Sequence, residues 1–158
     1  MFRKGEKVVY PVQGIATIIK IEEIEFDGNK QTYYKLDFPS TSLKISVPKE
    51  TADDIGLRKP LKKEILIREI SELSKNKVYS EKELDELVDK SQELLNSGSV
   101  KDSVSLISKI RAWKKIRNED GKPLTTSMKS CLNIAQDFLK QEVEHVLGEN
   151  SLKIYGLE

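Results

Sequence analysis

The sequence predicts an α+β protein: a small N-terminal antiparallel β barrel followed by an all-α C-terminal helical bundle. Two observations predict it. Apolar residues alternate with period two, amid many β-branched neighbours, over the first sixty residues; from Leu61 onward the period becomes helical. Lys59-Pro60 marks the change, which divides the chain into residues 1–60 and 61–158.

KVVYP (7–11) is a short strand that stops at Pro11. GIATIIKIEEIEF (14–26) is dense in β-branched residues and then alternates through Ile19 and Ile21, and after a shift Ile24 and Phe26. Asp27-Gly28-Asn29 is a hairpin signal, because Gly and Asn accept the positive φ of a tight turn. QTYYKLDF returns, with Tyr34, Leu36 and Phe38 on one side and Tyr33, Lys35 and Asp37 on the other. After the loop Pro39–Ser42, LKISVP sets Leu43, Ile45 and Val47 inward and Lys44 and Ser46 outward. About five short antiparallel strands in so short a span suit a small barrel. Pro11 and Gly14 would bend the first strand into the next.

In the second half, ILIREISELS (65–74) is amphipathic. Ser80-Glu81-Lys82-Glu83 has capping-box spacing, and Leu84, Leu87, Val88, Ser91, Leu94 and Leu95 follow at helical intervals until Gly98. Ser99 starts another helix, with Val104, Ile107, Ile110 and Trp113 on one face. A last helix from about Thr126 to Leu147 aligns Met128, Cys131, Leu132, Ala135, Phe138, Leu139, Val143 and Val146.

Charge and composition restrict function. The chain has 158 residues, 37% hydrophobic and 34% charged, with net charge +1. Residues 1–60 hold ten Lys/Arg and nine Asp/Glu, and residues 61–158 hold 17 of each, so a strongly basic nucleic-acid binder is excluded and only local patches remain. No apolar run reaches the roughly 18 residues of a membrane span, and the N-terminus lacks a signal-peptide pattern. A cytoplasmic monomer without membrane contact is expected. The single Cys131 fits a helix core position. His145 is the one His, and Cys131 lies fourteen positions before it on the same helix, so no triad or metal cluster forms around them. With no P-loop and no GxGxxG, neither an enzyme nor a cofactor is expected.

KVVYPVQGIATI resembles the start of the CarD/CdnL family of bacterial transcription regulators. The residues are Gly5, Glu6, Val8, Val9, Tyr10, Pro11 and Gly14. Val47-Pro48 and Gly56-Leu57-Arg58 resemble the family's later Val-Pro and Gly-hydrophobic-Arg stretches. Leu95–Gly98 is similar to its Leu-x-Ser-Gly turn, and Leu124–Leu132 is similar to its Leu-Ser-x-x-Glu-Lys-x-x-Leu. The likeness covers nearly the whole chain and is most specific in the first sixty residues. It implies a Tudor-like N-terminal module, shared with the transcription-repair coupling factor, that binds the RNA polymerase β subunit. It also implies a helical part that contacts promoter DNA at the upstream edge of the melted −10 region and stabilises the open complex.

The sequence departs from the family in two places. Fourteen residues before Gly98, where the family places a minor-groove Trp, stands Leu84, and Tyr79 is the nearest aromatic. The Arg residues that follow that Trp are replaced by Asp85 and Glu86, and residues 81–93 carry six acids and two lysines, a face that repels phosphate. In the barrel, the polymerase-contacting Arg positions fall at Ser46 and Ile24, with Lys44 on the face of Ser46. Ile24, Lys44 and Ser46 are therefore the candidate polymerase contacts. The candidate DNA contacts are Leu84; Lys109, Arg111, Lys114 and Lys115 in the basic run that extends to Lys122; and Thr125 and Lys129 at the start of the last helix. Trp113 suits the core. The expected function is a regulator tethered to polymerase, whose tether makes weak promoter-DNA affinity sufficient. The rival readings are a polymerase-docked protein adaptor and a stand-alone DNA binder.

Overall fold

A computed structural model describes residues 1–158. The N-terminal part is a four-stranded antiparallel meander in the order β1-β2-β3-β4, comprising β1 (Lys7–Tyr10), β2 (Gly14–Phe26), β3 (Asn29–Asp37) and β4 (Lys44–Pro48). The predicted barrel is an open half-barrel, because β1 and β4 are the two edges of the sheet and do not pair. The count is four strands rather than about five, and GIATIIKIEEIEF forms a single strand of 13 residues. A bulge between Ile18 and Lys20 lets that long strand bend without breaking. The extra residue moves the inward set from Ile18, opposite Leu36, to Ile21, opposite Tyr34; the later shift in the pattern is a change of face, since Ile24 and Phe26 stand on the other side of the sheet.

The β2–β3 turn takes positive φ at Asp27 (48°) and Gly28 (78°), the backbone that the Asp-Gly pair signalled. Val8, Ala16, Ile18, Tyr34, Leu36, Phe38 and Val47 fill the curl, joined by Phe2, Ala52 and Leu57. Leu43 was predicted inward, yet it precedes β4 in the loop and is 40% exposed. Beyond β4 a 3-10 turn (Lys49–Thr51) and the one-turn α1 (Ala52–Ile55) lead to Gly56. The chain then touches the sheet again, where Val9 and Arg58 exchange backbone hydrogen bonds of 2.7 and 3.2 Å.

The C-terminal part contains α2 (Lys63–Ile70), a 3-10 turn (Ser71–Ser74), α3 (Glu81–Asp85), α4 (Leu87–Asn96), α5 (Val100–Glu119), α6 (Thr126–Leu147) and α7 (Ser151–Ile154). The predicted capping box is present: Ser80 Oγ accepts from the Glu83 N–H at 3.2 Å, and the Glu83 carboxylate accepts from the Ser80 N–H at 2.7 Å. Ser99 Oγ and Thr125 Oγ1 accept from the Asp102 and Met128 N–H groups and cap α5 and α6 without a reciprocal carboxylate.

A cluster of 17 buried residues, including Ile107, Ile110, Cys131, Ala135, Leu139 and Val143, unites these helices. Truncating Ile107 to Ala would cost about 2–5 kcal/mol. Trp113 is partly buried against this core, and the Arg117 guanidinium lies 5.4 Å from its ring centre. Val88 was placed on the buried face, but it is exposed. The helix is interrupted at Glu86, and the buried stripe of α4 is Leu87, Ser91 and Leu95, which leaves Val88 about 100° around the axis.

Candidate functional site

Three regions bear on function: the outer face and free edge of the sheet, the junction between the two parts, and the end of the helical part formed by α5 and α6.

In an antiparallel pair, opposed residues share a face. Lys44 stands opposite Asp37, Ser46 opposite Lys35, and Ile24 opposite Gln31. Asp37, Lys35 and Gln31 alternate along β3, so Ile24, Lys44 and Ser46 share the outer face. They do not form one cluster. Ile24 lies four residues along β2 from Lys20, the residue level with Ser46, or about 13 Å at ordinary strand rise. Ile24 instead neighbours Phe26, which is 77% exposed near the hairpin tip.

The ladder also fixes which backbone groups of β4 are spent. The Phe38 N–H donates to the Leu43 carbonyl at 3.2 Å, so Ile45 and Val47 face β3 in the following hydrogen-bonded pairs. The N–H and C=O groups of Lys44 and Ser46 point the other way, along an edge that carries no strand.

The junction is built from residues not singled out as a site. The Glu142 carboxylate is fully buried and accepts from both Arg58 Nη atoms at 2.8 Å and from the Leu61 N–H at 2.8 Å. Arg58 Nε donates to the Gly98 carbonyl at 3.0 Å. Gln141 accepts from the Ile15 N–H at 3.0 Å and donates to the Gln13 carbonyl at 3.2 Å. Pro11 is buried against Gly56 and Gly98, where a Cβ would stand 3.0 and 2.8 Å from the Pro11 ring. Val9, Ile15 and Phe138 form a small apolar cluster across the same seam.

The break in the first strand therefore does more than curl the sheet. Its turn, with Val12 at φ 70° and Gly14 at φ 94°, is a socket for α6. A Cβ on Gly14 would collide with the Gln141 amide. A sequence signal for this seam existed: Glu142 falls on the apolar stripe of α6, between Leu139 and Val146.

The basic run on α5 is not one free patch. Arg111 donates to the Gly156 carbonyl at 2.8 Å, and burial pushes its guanidinium below the usual arginine range. Arg117 donates to the Pro123 carbonyl at 2.8 Å. Lys109 is half-buried on the side of Glu83, whose carboxyl is held low first by the Ser80 N–H and side chain, with a smaller contribution from Lys109. Lys114 and Lys115 are exposed and carry no ion pair. Thr125 and Lys129 are exposed at the start of α6. Leu84 is turned inward and only 6% exposed, so it presents no wedge at this surface. Tyr79 is partly exposed on the segment leading to α3.

A curled half-barrel with one free strand edge, fixed to a helical part, is the class that this architecture defines. No group of three or more His, Cys, Asp or Glu is placed to hold a metal. No helix is long and apolar enough to cross a membrane. Residues 2–61, the N-terminal part, match the CarD-like/TRCF RID domain. Along its whole length it is similar to a Bacillus subtilis (strain 168) protein named "Putative transcription factor YdeB", with 26% identity over 164 residues, covering 99% of this chain and 100% of the relative.

Proposed function

We propose that this chain is a transcription regulator that docks on the RNA polymerase β subunit through residues 1–60, acting as a Tudor-like module, and contacts promoter DNA with its helical part. The DNA contact would fall near the upstream edge of the −10 bubble and modulate open-complex stability. The observation that carries the reading is the unpaired edge of β4 on a CarD-like/TRCF RID domain. Lys44 and Ser46 hold two free N–H and two free C=O groups there, enough to receive a partner strand by sheet extension. Such docking needs no arginine, which fits Ser46 and Ile24 at the departed positions.

The junction supports a functional link between the parts. A sheet docked on polymerase carries α5 and α6 in a fixed direction, because Arg58, Gln141 and Glu142 join the two. Tethering raises the local concentration of DNA, so Lys114, Lys115, Thr125 and Lys129 can suffice in a chain of net charge +1.

Calorimetry of the full chain with the N-terminal lobes of the host's own β subunit, at two salt concentrations, tests the docking. Micromolar binding with weak salt dependence is expected from strand pairing; no binding at high concentration would remove the tether. Promoter binding by the Lys114→Glu/Lys115→Glu variant tests the DNA contact, and an unchanged affinity would remove it. The acidic α3–α4 face and the inward Leu84 favour a second reading in that event: a polymerase-docked adaptor for another protein.

A further inference from the structure

Two grooves meet on α5. The larger, about 520 Å³, runs between α5 and the segment that enters α3. Leu73, Tyr79, Leu84, Ala112 and Ile116 give it apolar walls. Its volume lies within the roughly 300–1,000 Å³ usual for small-ligand sites. The second is a shallow, open depression lined only by polar and charged residues, among them Arg111, Lys114, Lys115 and Asn118. Arg111, Lys115 and Glu119 line both grooves and form the ridge between them, so two cations stand there against one carboxylate.

The ridge has unspent donors. The one side-chain hydrogen bond of Arg111 is to the Gly156 carbonyl, so most of its five N–H groups remain available. No carboxylate lies within ion-pair distance of Arg111, Lys114 or Lys115. A ligand that satisfies both grooves needs a flat apolar ring beside a dense negative charge. A peptide of acidic residues alone offers the charge without the adjoining ring. A nucleotide offers both, because a base stacks on an aromatic face and a phosphate takes a guanidinium in a two-pronged grip.

We propose that these paired grooves bind one unpaired nucleotide, with its base in the apolar groove beside Tyr79 and its phosphate on Arg111 and Lys115. This rests on the reading of the α5 face as a nucleic-acid contact and specifies it: the surface takes an unstacked nucleotide rather than an intact duplex.

The test is titration of the full chain at low salt with fluorescently labelled (dT)8, with AMP, and with a labelled promoter duplex. The octamer should bind. Tyr79→Ala should weaken it about tenfold, the scale of one lost base–aromatic stack, while Tyr79→Phe retains it. Lys115→Glu, an exposed site, should weaken it by a similar factor. AMP bound as tightly as the octamer assigns the site to a free nucleotide, and a much tighter octamer assigns it to a strand; either supports the site. The proposal is overturned if neither probe binds below about 1 mM, if Tyr79→Ala binds like the wild type, or if hexaglutamate displaces the octamer at equal concentration. Duplex binding separates the two failures. If it persists and depends on Lys114 and Lys115 while the unpaired probes fail, only the nucleotide site falls; if it fails too, the reading of the α5 face falls with it.

Discussion

Arg58 and Glu142, 84 positions apart, meet in a two-pronged ion pair at 2.8 Å that fastens the β half-barrel to the helical part. The pair satisfies what burial demands. Glu142 has its third acceptor contact from the Leu61 N–H, and no buried side-chain polar atom in the molecule lacks a partner. Arg58 retains some contact with solvent, so the desolvation cost falls mainly on the carboxylate.

Glu142→Ala is therefore expected to destabilise the protein by about 3 kcal/mol, the lower end for breaking a buried pair, because the orphaned Arg58 can still reach water. Glu142→Gln keeps the shape and part of the hydrogen bonding, and should cost less. Urea unfolding of both variants and of Arg58→Ala checks this. Coupling near zero between the Arg58 and Glu142 substitutions in a double-mutant cycle would show that the pair does not act as a unit.

Gly98→Ala probes the packing side of the same seam. Gly98 has φ 70°, and a Cβ there would stand 2.8 Å from the Pro11 ring. The left-handed backbone costs an alanine about 1–2 kcal/mol, and the contact adds to it. A total near 2–3 kcal/mol is expected by chemical denaturation. Adding Pro11→Ala removes the ring and should return part of that loss, so the two changes together cost less than their sum.

How far the sequence revealed this structure depends on the range of the interaction. Local patterns were legible: the Asp27-Gly28 turn, the Ser80–Glu83 box, the Ser99 and Thr125 caps, and the alternation of Tyr34, Leu36 and Phe38 each arise within a few residues. The misjudged elements are those that distant contacts decide. The bulge at Ile19 breaks the alternation within one long strand, and the break at Glu86 moves Val88 out of the core. The seam left one mark in the sequence, Glu142 on the apolar stripe of α6, and its partners lie too far along the chain to be read from it. Pro11 reads as a strand breaker until Gly56 and Gly98 are brought against it, and Arg111 reads as a free cation until the C-terminal Gly156 carbonyl reaches it. Spacing could not orient Leu84 either, since a capped amphipathic helix and a wedge both place a leucine there.

Ser46→Pro tests sheet extension without disturbing the sheet itself. The Ser46 N–H faces away from β3, so removing it breaks no ladder bond, and edge strands tolerate proline. The variant should remain folded by circular dichroism and lose about tenfold or more in affinity for the polymerase β lobes, the effect of one lost main-chain hydrogen bond plus the ring's obstruction. Ser46→Ala should bind like the wild type. Equal binding by Ser46→Pro would rule out strand pairing at this edge and move the contact to side chains of the outer face.

Glu72 governs the segment that walls the larger groove. Its carboxyl is drawn down to about 2 by hydrogen bonds from Lys75 and then Lys77, while Glu72 raises Lys77 in return. The ion pairs measure 2.6 and 2.7 Å. Because the folded value lies below the ordinary 4.5, the favourable contribution is fully present above about pH 4.5 and is lost as pH falls through 2. The pairs are exposed, so Glu72→Gln should leave the melting temperature at pH 7 almost unchanged. The effect should be local. Releasing Lys75 and Lys77 frees the chain ahead of Tyr79, and amide exchange over residues 75–79 should quicken at neutral pH. A carbon-detected NMR titration of Glu72 with its midpoint near 4.5 rather than 2, or unaltered exchange in Glu72→Gln, would show that the two lysines do not hold this wall.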